Sequence, residues 1–342
     1  MKKRLLIILF LLILCTGCAH SKDKRQLNVL NWSSYIPSQV ILDFEKETGI
    51  RVNYGTYSSN EELLAKVSVA KEGTYDLVFP SDYMVEVMIN RNLIQEMDTS
   101  KLSNVGNLNL SFLNKEYDLG NKYTLPFLAA STVIAINRDV VKDEINSYND
   151  LLDSKYKNEV VLIDDQRIII GMALLANGYD MNSVNVSELE VAKKWLLKLK
   201  ENLKAYDSDS PKNFLISGEA SIAVLWNAEG ALASMENSSI ENIFPDEGVA
   251  LSIDNFAIPK GAKHLNEVYE FIDYILRPEV MKVIIENYPY KTVNIASEEL
   301  LSDEYLNNNA ANISDLVFNS RLYVKNIGND ISLYDRIWAE IK

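Results

Sequence analysis

Reactive side chains are scarce in this sequence of 342 residues. It has two cysteines and two histidines, and all of them except His264 lie within the first 20 positions. The sequence therefore offers almost no residues for catalysis by a Ser–His or Cys–His pair. The sequence also lacks a G-x-S-x-G elbow, a Gly-rich phosphate loop and an EF-hand spacing of acidic residues. We predict a protein that is not an enzyme and that holds neither a cofactor nor a metal.

Long apolar runs are also absent, apart from one at the N-terminus. Three basic residues after Met1 precede an apolar run over residues 5–15. This run has the length of a signal-peptide core and is shorter than the about 20 residues that a membrane-spanning helix needs. Later in the chain no run approaches that length, so the remainder is predicted to lie outside the membrane.

The small residues Thr16 and Gly17 stand directly before Cys18 and resemble a bacterial lipobox, although Cys15 stands where that motif usually has leucine. We predict that residues 1–17 are a lipoprotein signal peptide and that Cys18 becomes the lipidated N-terminus. The polar stretch that follows, over residues 18–26, is predicted to be a tether. An ordinary signal peptide or an uncleaved anchor is the alternative.

Positive charge is in short supply. Removing residues 1–17 takes away three basic residues and no acidic ones, which changes the formal net charge from −14 to −17. Phosphate-rich partners such as nucleic acid would be repelled, whereas a cationic ligand would be attracted. Acidity is equally typical of exported proteins that need solubility, so charge alone does not decide the ligand.

Strand-like and helix-like patterns alternate from Leu27 onward. The run "LNVLNW" is typical of a strand, and a helix pattern follows that should end at Gly49. This β-α-β-α-β order predicts a parallel sheet with right-handed crossovers and helices on both faces. The same order resumes later, where Ser187 and Glu190 form a predicted capping box. With only 13 glycines and no long flexible linker, the sequence favours two α/β lobes joined by crossing strands.

Aromatic residues follow several predicted strands. Trp32 and Tyr35 come after the first strand, Tyr83 after the third, and Trp226 ends the run "ASIAVLW". In an open α/β sheet, ligands bind beyond the carboxyl ends of strands. These positions therefore predict a ligand site. The other two tryptophans, Trp195 and Trp338, lie in helix patterns and are predicted to belong to the core.

Several segments, in their order and spacing, resemble the polyamine-binding proteins of spermidine/putrescine ABC importers: "LNWSSYIP", "FEKETGIRVNYGTYSSNEELLAKV", "YDLVFPSDYMV", "AYDSDSP" and "LRPEV". The resemblance covers essentially the whole mature chain. It implies a two-lobed type II periplasmic-binding-protein fold with hinge strands between the lobes. We place lobe 1 at residues 27–130 plus 254–298, and lobe 2 at residues 131–253 plus 299–342.

The resemblance also implies a function. We expect a lipid-anchored, monomeric receptor on the outer face of the cytoplasmic membrane or in the periplasm of a bacterium. It would capture putrescine or spermidine and deliver it to a membrane permease. The ligand-binding positions implied are Trp32, Ser33, Tyr35, Ser81, Tyr83, Asp165, Ser208, Trp226, Asp254 and Tyr290. Such a set suits a polyamine, because aromatic rings line its methylene chain and carboxylates neutralise its ammonium groups.

Two positions depart from the pattern of these proteins. Ile168 stands where a glutamate is usual, and Ser252 stands where spermidine binders carry tryptophan. Glu229, three residues after Trp226, matches an acidic position of putrescine receptors and is expected to restore the lost charge. Asp82 is a further candidate, although its place at a helix start is more typical of a cap. The choice between putrescine and spermidine stays open.

Two other functions are consistent with the sequence. A receptor of the same fold would bind ferric iron through some of the 18 tyrosines, or would bind another organic cation. Tryptophans cannot ligate a metal, which counts against iron. A secreted hydrolase that uses a pair of carboxylates is the third alternative, because sequence alone cannot show which carboxylates lie close together.

Overall fold

The computed structural model describes residues 25–208, 210–318 and 322–342. The predicted signal peptide and the lipidation residue Cys18 lie outside these ranges. Among the residues described, no helix combines the length and the apolar character needed to cross a bilayer.

Strands make up the centre of the described structure, and we number them in chain order. They are β1 Gln26–Trp32, β2 Arg51–Tyr57, β3 Leu77–Val78, β4 Ile94–Gln95, β5 Thr124–Asn137, β6 Val160–Leu162, β7 Leu203–Tyr206, β8 Ile222–Trp226, β9 Ile240–Ile243, β10 Leu251–Pro259 and β11 Lys291–Thr292.

Helices cover the faces of these strands. They are α1 Ser38–Thr48, α2 Asn60–Val69, α3 Asp82–Asn90, α4 Gln166–Ala176, α5 Val186–Leu199, α6 Lys212–Ile216, α7 Asn227–Glu236, α8 Leu265–Ile275, α9 Pro278–Asn287, α10 Ile295–Glu298, α11 Asp303–Asn307, α12 Asp315–Phe318 and α13 Ile331–Ile341.

The strands are hydrogen-bonded in the order β2-β1-β3-β10-β5-β8-β6-β7. Parallel pairing holds within β2-β1-β3 and within β8-β6-β7, as the alternating pattern predicts. The strands between these two groups are an exception to the parallel pairing. The central strands β10 and β5 run antiparallel to each other and to their outer neighbours.

Strand β5 connects the two halves of the sheet. Its first part, from Thr124 to Ser131, pairs with β10, and its second part, from Thr132 to Ile136, pairs with β8. All fourteen residues of β5 are buried, which explains why the sequence reads here as a nearly continuous apolar run. The fold is two-lobed, and β5 passes from one lobe into the other.

Separate apolar cores stabilise the two halves. One contains Phe44, Phe127, Phe256 and Phe271, together with side chains from residues 301–318. A second contains Ile136, Ile169, Leu196 and Tyr334. Trp195 belongs to this second core: it is 7% exposed, and its indole Nε1 donates to Asn149 Oδ1 at 2.8 Å. Its prediction as a core residue is confirmed.

Helix ends follow the sequence signals in most places. Gly49 and Gly178 have φ angles of 71° and 76°, the left-handed conformation that favours glycine after a helix. The capping box predicted at Ser187 and Glu190 is wrong. Helix α5 starts two residues earlier, and the Asn185 side chain accepts the Ser187 N–H as its N-cap. Asparagine caps as well as serine does, so the sequence offered two nearby starts.

Candidate functional site

A narrow cavity lies where the carboxyl ends of strands from both halves of the sheet meet, and its volume is about 90 Å³. Its lining contains ten of the eleven predicted ligand-binding residues: Trp32, Ser33, Tyr35, Ser81, Tyr83, Asp165, Ser208, Trp226, Asp254 and Tyr290. Glu229 is not among the residues that line it. The site therefore lies at the carboxyl ends of strands, as predicted, although two central strands of the sheet are antiparallel.

Asp254 is a nearly inaccessible residue of the cavity, with only 3% of its surface exposed. Strand β10 has a bulge between Asp254 and Asn255, and such irregularities redirect side chains from the regular alternation. The Ser81 hydroxyl donates to Asp254 Oδ1 at 2.6 Å, and the Tyr35 hydroxyl donates to Oδ2. Burial raises the pKa of Asp254 to about 6, while the two hydroxyl donors act in the opposite direction.

Ser81 is itself held in place by Asn60, the first residue of helix α2. Asn60 Nδ2 donates to Ser81 Oγ at 3.0 Å, and the Ser81 N–H donates to Asn60 Oδ1 at 3.2 Å. This pair of bonds leaves the Ser81 hydroxyl hydrogen free to point at Asp254. The carboxylate is therefore positioned by a short chain of buried hydrogen bonds before any ligand arrives.

Aromatic rings form one wall of the cavity. Trp32 and Tyr57 have ring centroids 4.6 Å apart, and those of Tyr35 and Tyr290 are 4.8 Å apart, both pairs in tilted arrangements. The Trp32 indole Nε1 donates to the Phe79 carbonyl at 3.0 Å. This bond satisfies the polar edge of the indole, so its ring is fixed with a face available for an apolar or cationic group.

Asp165 lies at the opposite side of the cavity, directly before helix α4. Its Oδ1 accepts the N–H groups of Arg167 at 2.8 Å and Ile168 at 3.1 Å, so it serves as the N-cap of that helix. Burial, and next the negative charge of Glu61, raise the pKa of Asp165 to about 6. The residue is therefore a cap and a cavity carboxylate at once.

Two other charged side chains at the cavity already have polar partners. Asp164 also lines it, but its carboxylate forms an ion pair with Lys342. The Arg167 guanidinium donates to Asn182 Oδ1 at 3.0 Å and to the Lys325 carbonyl at 2.9 Å, and it packs over the Tyr334 ring. Asp165 and Asp254 are left as the two lining carboxylates without an ion pair to Lys, Arg or His within the described ranges.

Glu229 lies outside the lining and has its own partner. Its carboxylate accepts from Lys212 Nζ at 3.0 Å, and the pair is largely buried. Glu229 was expected to replace the charge lost at Ile168. In the structure its carboxylate is already paired with a lysine. Ile168 and Ser252 both line the cavity, so the two departures found in the sequence fall on its walls. Ser208 accepts the Asp164 N–H at 2.9 Å, which ties its loop to the start of helix α4.

Sequence reasoning missed several lining residues, among them Tyr57, Asn60, Arg167 and Val324. Tyr57 ends strand β2 and obeys the same strand-end rule that found Trp32, so the signal was present. Arg167 and Val324 carried no such signal, because the first looks like a surface helix residue and the second comes from a segment near the C-terminus. No group of three or more His, Cys, Asp or Glu side chains suited to a metal ion occurs in the part of the chain that is described.

Comparison with known proteins identifies the class of molecule. The profile of the bacterial extracellular solute-binding proteins matches residues 39–312. The chain belongs to this family. Its members bind solutes, so this solute-binding protein is not an enzyme, and the hydrolase alternative falls away. Because the family consists of extracellular proteins, this protein also functions outside the cytoplasm.

Relatives of this solute-binding protein are similar over most of the chain. The spermidine/putrescine-binding periplasmic protein of Salmonella typhimurium is 36% identical, over 97% of this chain and 95% of the relative. The putrescine-binding periplasmic protein PotF of Escherichia coli is 32% identical, over 84% of this chain and 82% of the relative.

Solved structures agree with this placement. The spermidine/putrescine ABC transporter substrate-binding protein PotD of Streptococcus pneumoniae superposes with a TM-score of 0.79 at 30% identity, covering 93% of this chain and 98% of the other. The predicted two-lobed periplasmic-binding-protein fold is confirmed.

Proposed function

We propose that this solute-binding protein captures a polyamine, putrescine or spermidine, between its two lobes and delivers it to the membrane permease of an ABC importer. The names of its relatives support this ligand class. The observation that carries the proposal is the buried carboxylate of Asp254, held by two hydroxyl donors in a cavity walled by tryptophan and tyrosine rings.

The cavity chemistry suits a flexible chain with an ammonium group at each end. A buried ammonium needs a carboxylate partner, because leaving it unpaired in an apolar environment costs several kcal/mol or more. Asp254 is that partner on one side and Asp165 on the other. The rings of Trp32, Trp226 and Tyr290 lie beside the methylene groups and add cation–π attraction of about 0.5–2 kcal/mol each.

Charge favours a diamine. Asp254 and Asp165 are the two lining carboxylates without an ion pair among the described residues, which matches the two ammonium groups of putrescine. The third ammonium group of spermidine would need a further partner. We therefore favour putrescine, with spermidine as the second candidate.

Closure of the lobes provides the transport signal. In our proposal residues 27–130 plus 254–298 move as lobe 1 and residues 131–253 plus 299–342 as lobe 2, except that residues 301–318, which pack in the core of lobe 1, move with lobe 1. A ligand that touches Asp254 and Asp165 together stabilises the closed state by its greater affinity for that state. The permease would recognise the closed form.

The protein is proposed to act as a monomer attached to the outer face of the cytoplasmic membrane. Lipid on Cys18 would anchor it, and the polar residues 18–26 would form a tether between the membrane and the folded part of the protein. Metabolic labelling with a radioactive fatty acid tests the anchor. Replacement of Cys18 by serine should abolish the label and release the protein from the membrane fraction.

Isothermal titration calorimetry against putrescine, cadaverine, spermidine and spermine tests the ligand class. We expect saturable 1:1 binding, tightest for putrescine. Absence of heat with all four amines would overturn the proposal. Titration with ferric iron, monitored for a tyrosinate charge-transfer band, would then test the alternative receptor function.

A further inference from the structure

Glu61 lies at the edge of the cavity and belongs to the first turn of helix α2. The hydroxyl of Tyr83, a cavity residue, donates to Glu61 Oε1 at 3.1 Å. Helix α2 is on the side of the cleft that also supplies Trp32 and Asn60. Asp165 begins helix α4 on the opposite side. Tyr83 and Asp165 line the same cavity. Arg167, whose N–H donates to Asp165, has its guanidinium 5.7 Å from the centroid of the Tyr83 ring. Glu61 and Asp165 are therefore two carboxylates from opposite lobes at one end of the cavity.

The two adjacent glutamates of helix α2 have different partners. Glu62 forms an ion pair with Lys66 at 2.8 Å and accepts the Ser58 N–H and hydroxyl at 2.8 and 2.9 Å. These bonds lower the pKa of Glu62 to about 2. Glu61 has no ion pair with a lysine, arginine or histidine among the residues described. Its carboxylate is thus able to accept a cation from outside.

Asp165 is similarly ready for a cation. Both N–H groups that it caps bond to Oδ1, which leaves Oδ2 for another donor. The negative charge of Glu61 is the second cause, after burial, that makes ionised Asp165 unfavourable. A cation placed between these carboxylates would remove that repulsion.

We propose that Glu61 binds the second ammonium group of the polyamine together with Asp165, so that this ammonium is held from both lobes. The inference rests on the proposed function and deepens it. Ile168 offers no charge at this end of the cavity, and Glu229 is paired with Lys212. Glu61 supplies the missing carboxylate from the other lobe. Ligand length and lobe closure are then coupled, because only an amine that reaches this end joins the lobes.

Calorimetry on two matched variants tests this role. Glu61→Gln and Glu62→Gln each remove one negative charge from neighbouring positions of the same exposed helical turn. We expect Glu61→Gln to weaken putrescine binding about tenfold and Glu62→Gln to change it less than about twofold. Equal effects of the two variants would overturn the inference while leaving the proposed function intact. If the unaltered protein binds no polyamine, both proposals fail.

A double-mutant cycle with Tyr83→Phe separates charge from positioning. Removing the Tyr83 hydroxyl abolishes its bond to Glu61 but leaves the glutamate charge in place. A direct role predicts that Glu61→Gln still weakens binding several-fold in the Tyr83→Phe background, and that the salt dependence of binding decreases. If Glu61→Gln has no further effect in that background, Glu61 acts only by holding Tyr83, and the inference is wrong.

Discussion

Asp254 combines deep burial with a charge that the ligand-free protein does not neutralise. Burial raises its pKa to about 6, above the about 3.9 of an aspartate in an unfolded chain. Between these two values the folded state binds more protons than the unfolded state, so stability falls as pH rises through this window. At pH 7 the cost is fully present. In the proposed function, this loss of stability leaves a buried charge that is able to bind a cation.

The variant Asp254→Asn separates the two effects. We expect binding of putrescine to weaken by well over tenfold, because the ammonium loses its buried counter-charge. The ligand-free Tm at pH 7 should be equal to or higher than that of the unaltered protein, since the unfavourable ionisation is gone. Calorimetry and thermal unfolding measure the two quantities. A fall in Tm of many degrees together with retained affinity would contradict this account.

Two tryptophans differ in whether they serve the cavity or the core. Trp32→Ala should weaken binding by well over tenfold, because it removes a ring from the cavity wall. Trp195→Ala should lower the free energy of unfolding by about 3–5 kcal/mol, the usual cost of deleting a large core side chain. Affinity of the folded Trp195→Ala protein should hardly change. Equal losses of affinity in both variants would refute the assignment.

Sequence reasoning found Trp32 and Trp226 because a strand end fixes where its following residue lies in an open sheet. It did not single out Glu61, because the role proposed for that residue depends on a contact with Tyr83 and on an opposing carboxylate from the other lobe. Such contacts across a cleft leave no local pattern. Lys212 was missed for the same reason: its pairing with Glu229 joins two helices 17 positions apart.

Helix α4 illustrates how one element serves both fold and site. Its N-cap residue Asp165 accepts two N–H groups of the first turn, and the same side chain lines the cavity. Helix capping alone explains an aspartate, asparagine or serine at this position. Capping does not require a negative charge at this position, whereas binding of a cation in the cavity does.

Substitutions at Asp165 should separate capping from charge. Asparagine keeps an oxygen that accepts the same N–H groups, so Asp165→Asn should weaken polyamine binding about tenfold with little change in stability. Alanine removes the cap as well, and Asp165→Ala should lower the free energy of unfolding by about 1 kcal/mol. Chemical denaturation and calorimetry distinguish the two. Equal stability of the two variants would contradict the capping role.

Element bounds were predictable where local signals were unambiguous. Gly49, Gly178 and Pro278 mark helix ends or starts in the structure as the sequence indicates. The start of helix α5 was misplaced because Asn185 and Ser187 are both good caps, and only the packing of the chain before the helix selects one. The antiparallel direction of β10 and β5 was missed because the periodicity of a buried strand does not report its direction.

The affinity of the protein for putrescine should depend on pH in a defined direction. Asp254 and Asp165 both have a pKa raised to about 6, and only their ionised forms attract an ammonium. We expect nearly constant putrescine affinity between pH 7 and 8 and a progressive fall below about pH 6. Calorimetry from pH 5 to 8 measures this. In Asp254→Asn the fall should be shallower, and an unchanged profile would contradict the involvement of these carboxylates.

The two-lobed architecture was available from the sequence through its resemblance to polyamine receptors, and the fold is confirmed. Physical patterns alone gave two α/β units with crossing strands. They did not specify how the chain passes between the units, because the pairing of β5 with four different strands depends on long-range register.

The continuous strand β5 limits how the lobes can move. A loop between domains would let them tumble independently, and closure would then be opposed mainly by lost rotational freedom. Strand β5 is fully buried over its fourteen residues and is hydrogen-bonded along both halves. It is therefore a stiff connection that resists bending. We therefore expect any opening of the lobes to be spread as small changes of twist over many peptide units of β5, so that a ligand closes the cleft by bending a stiff joint through a small angle.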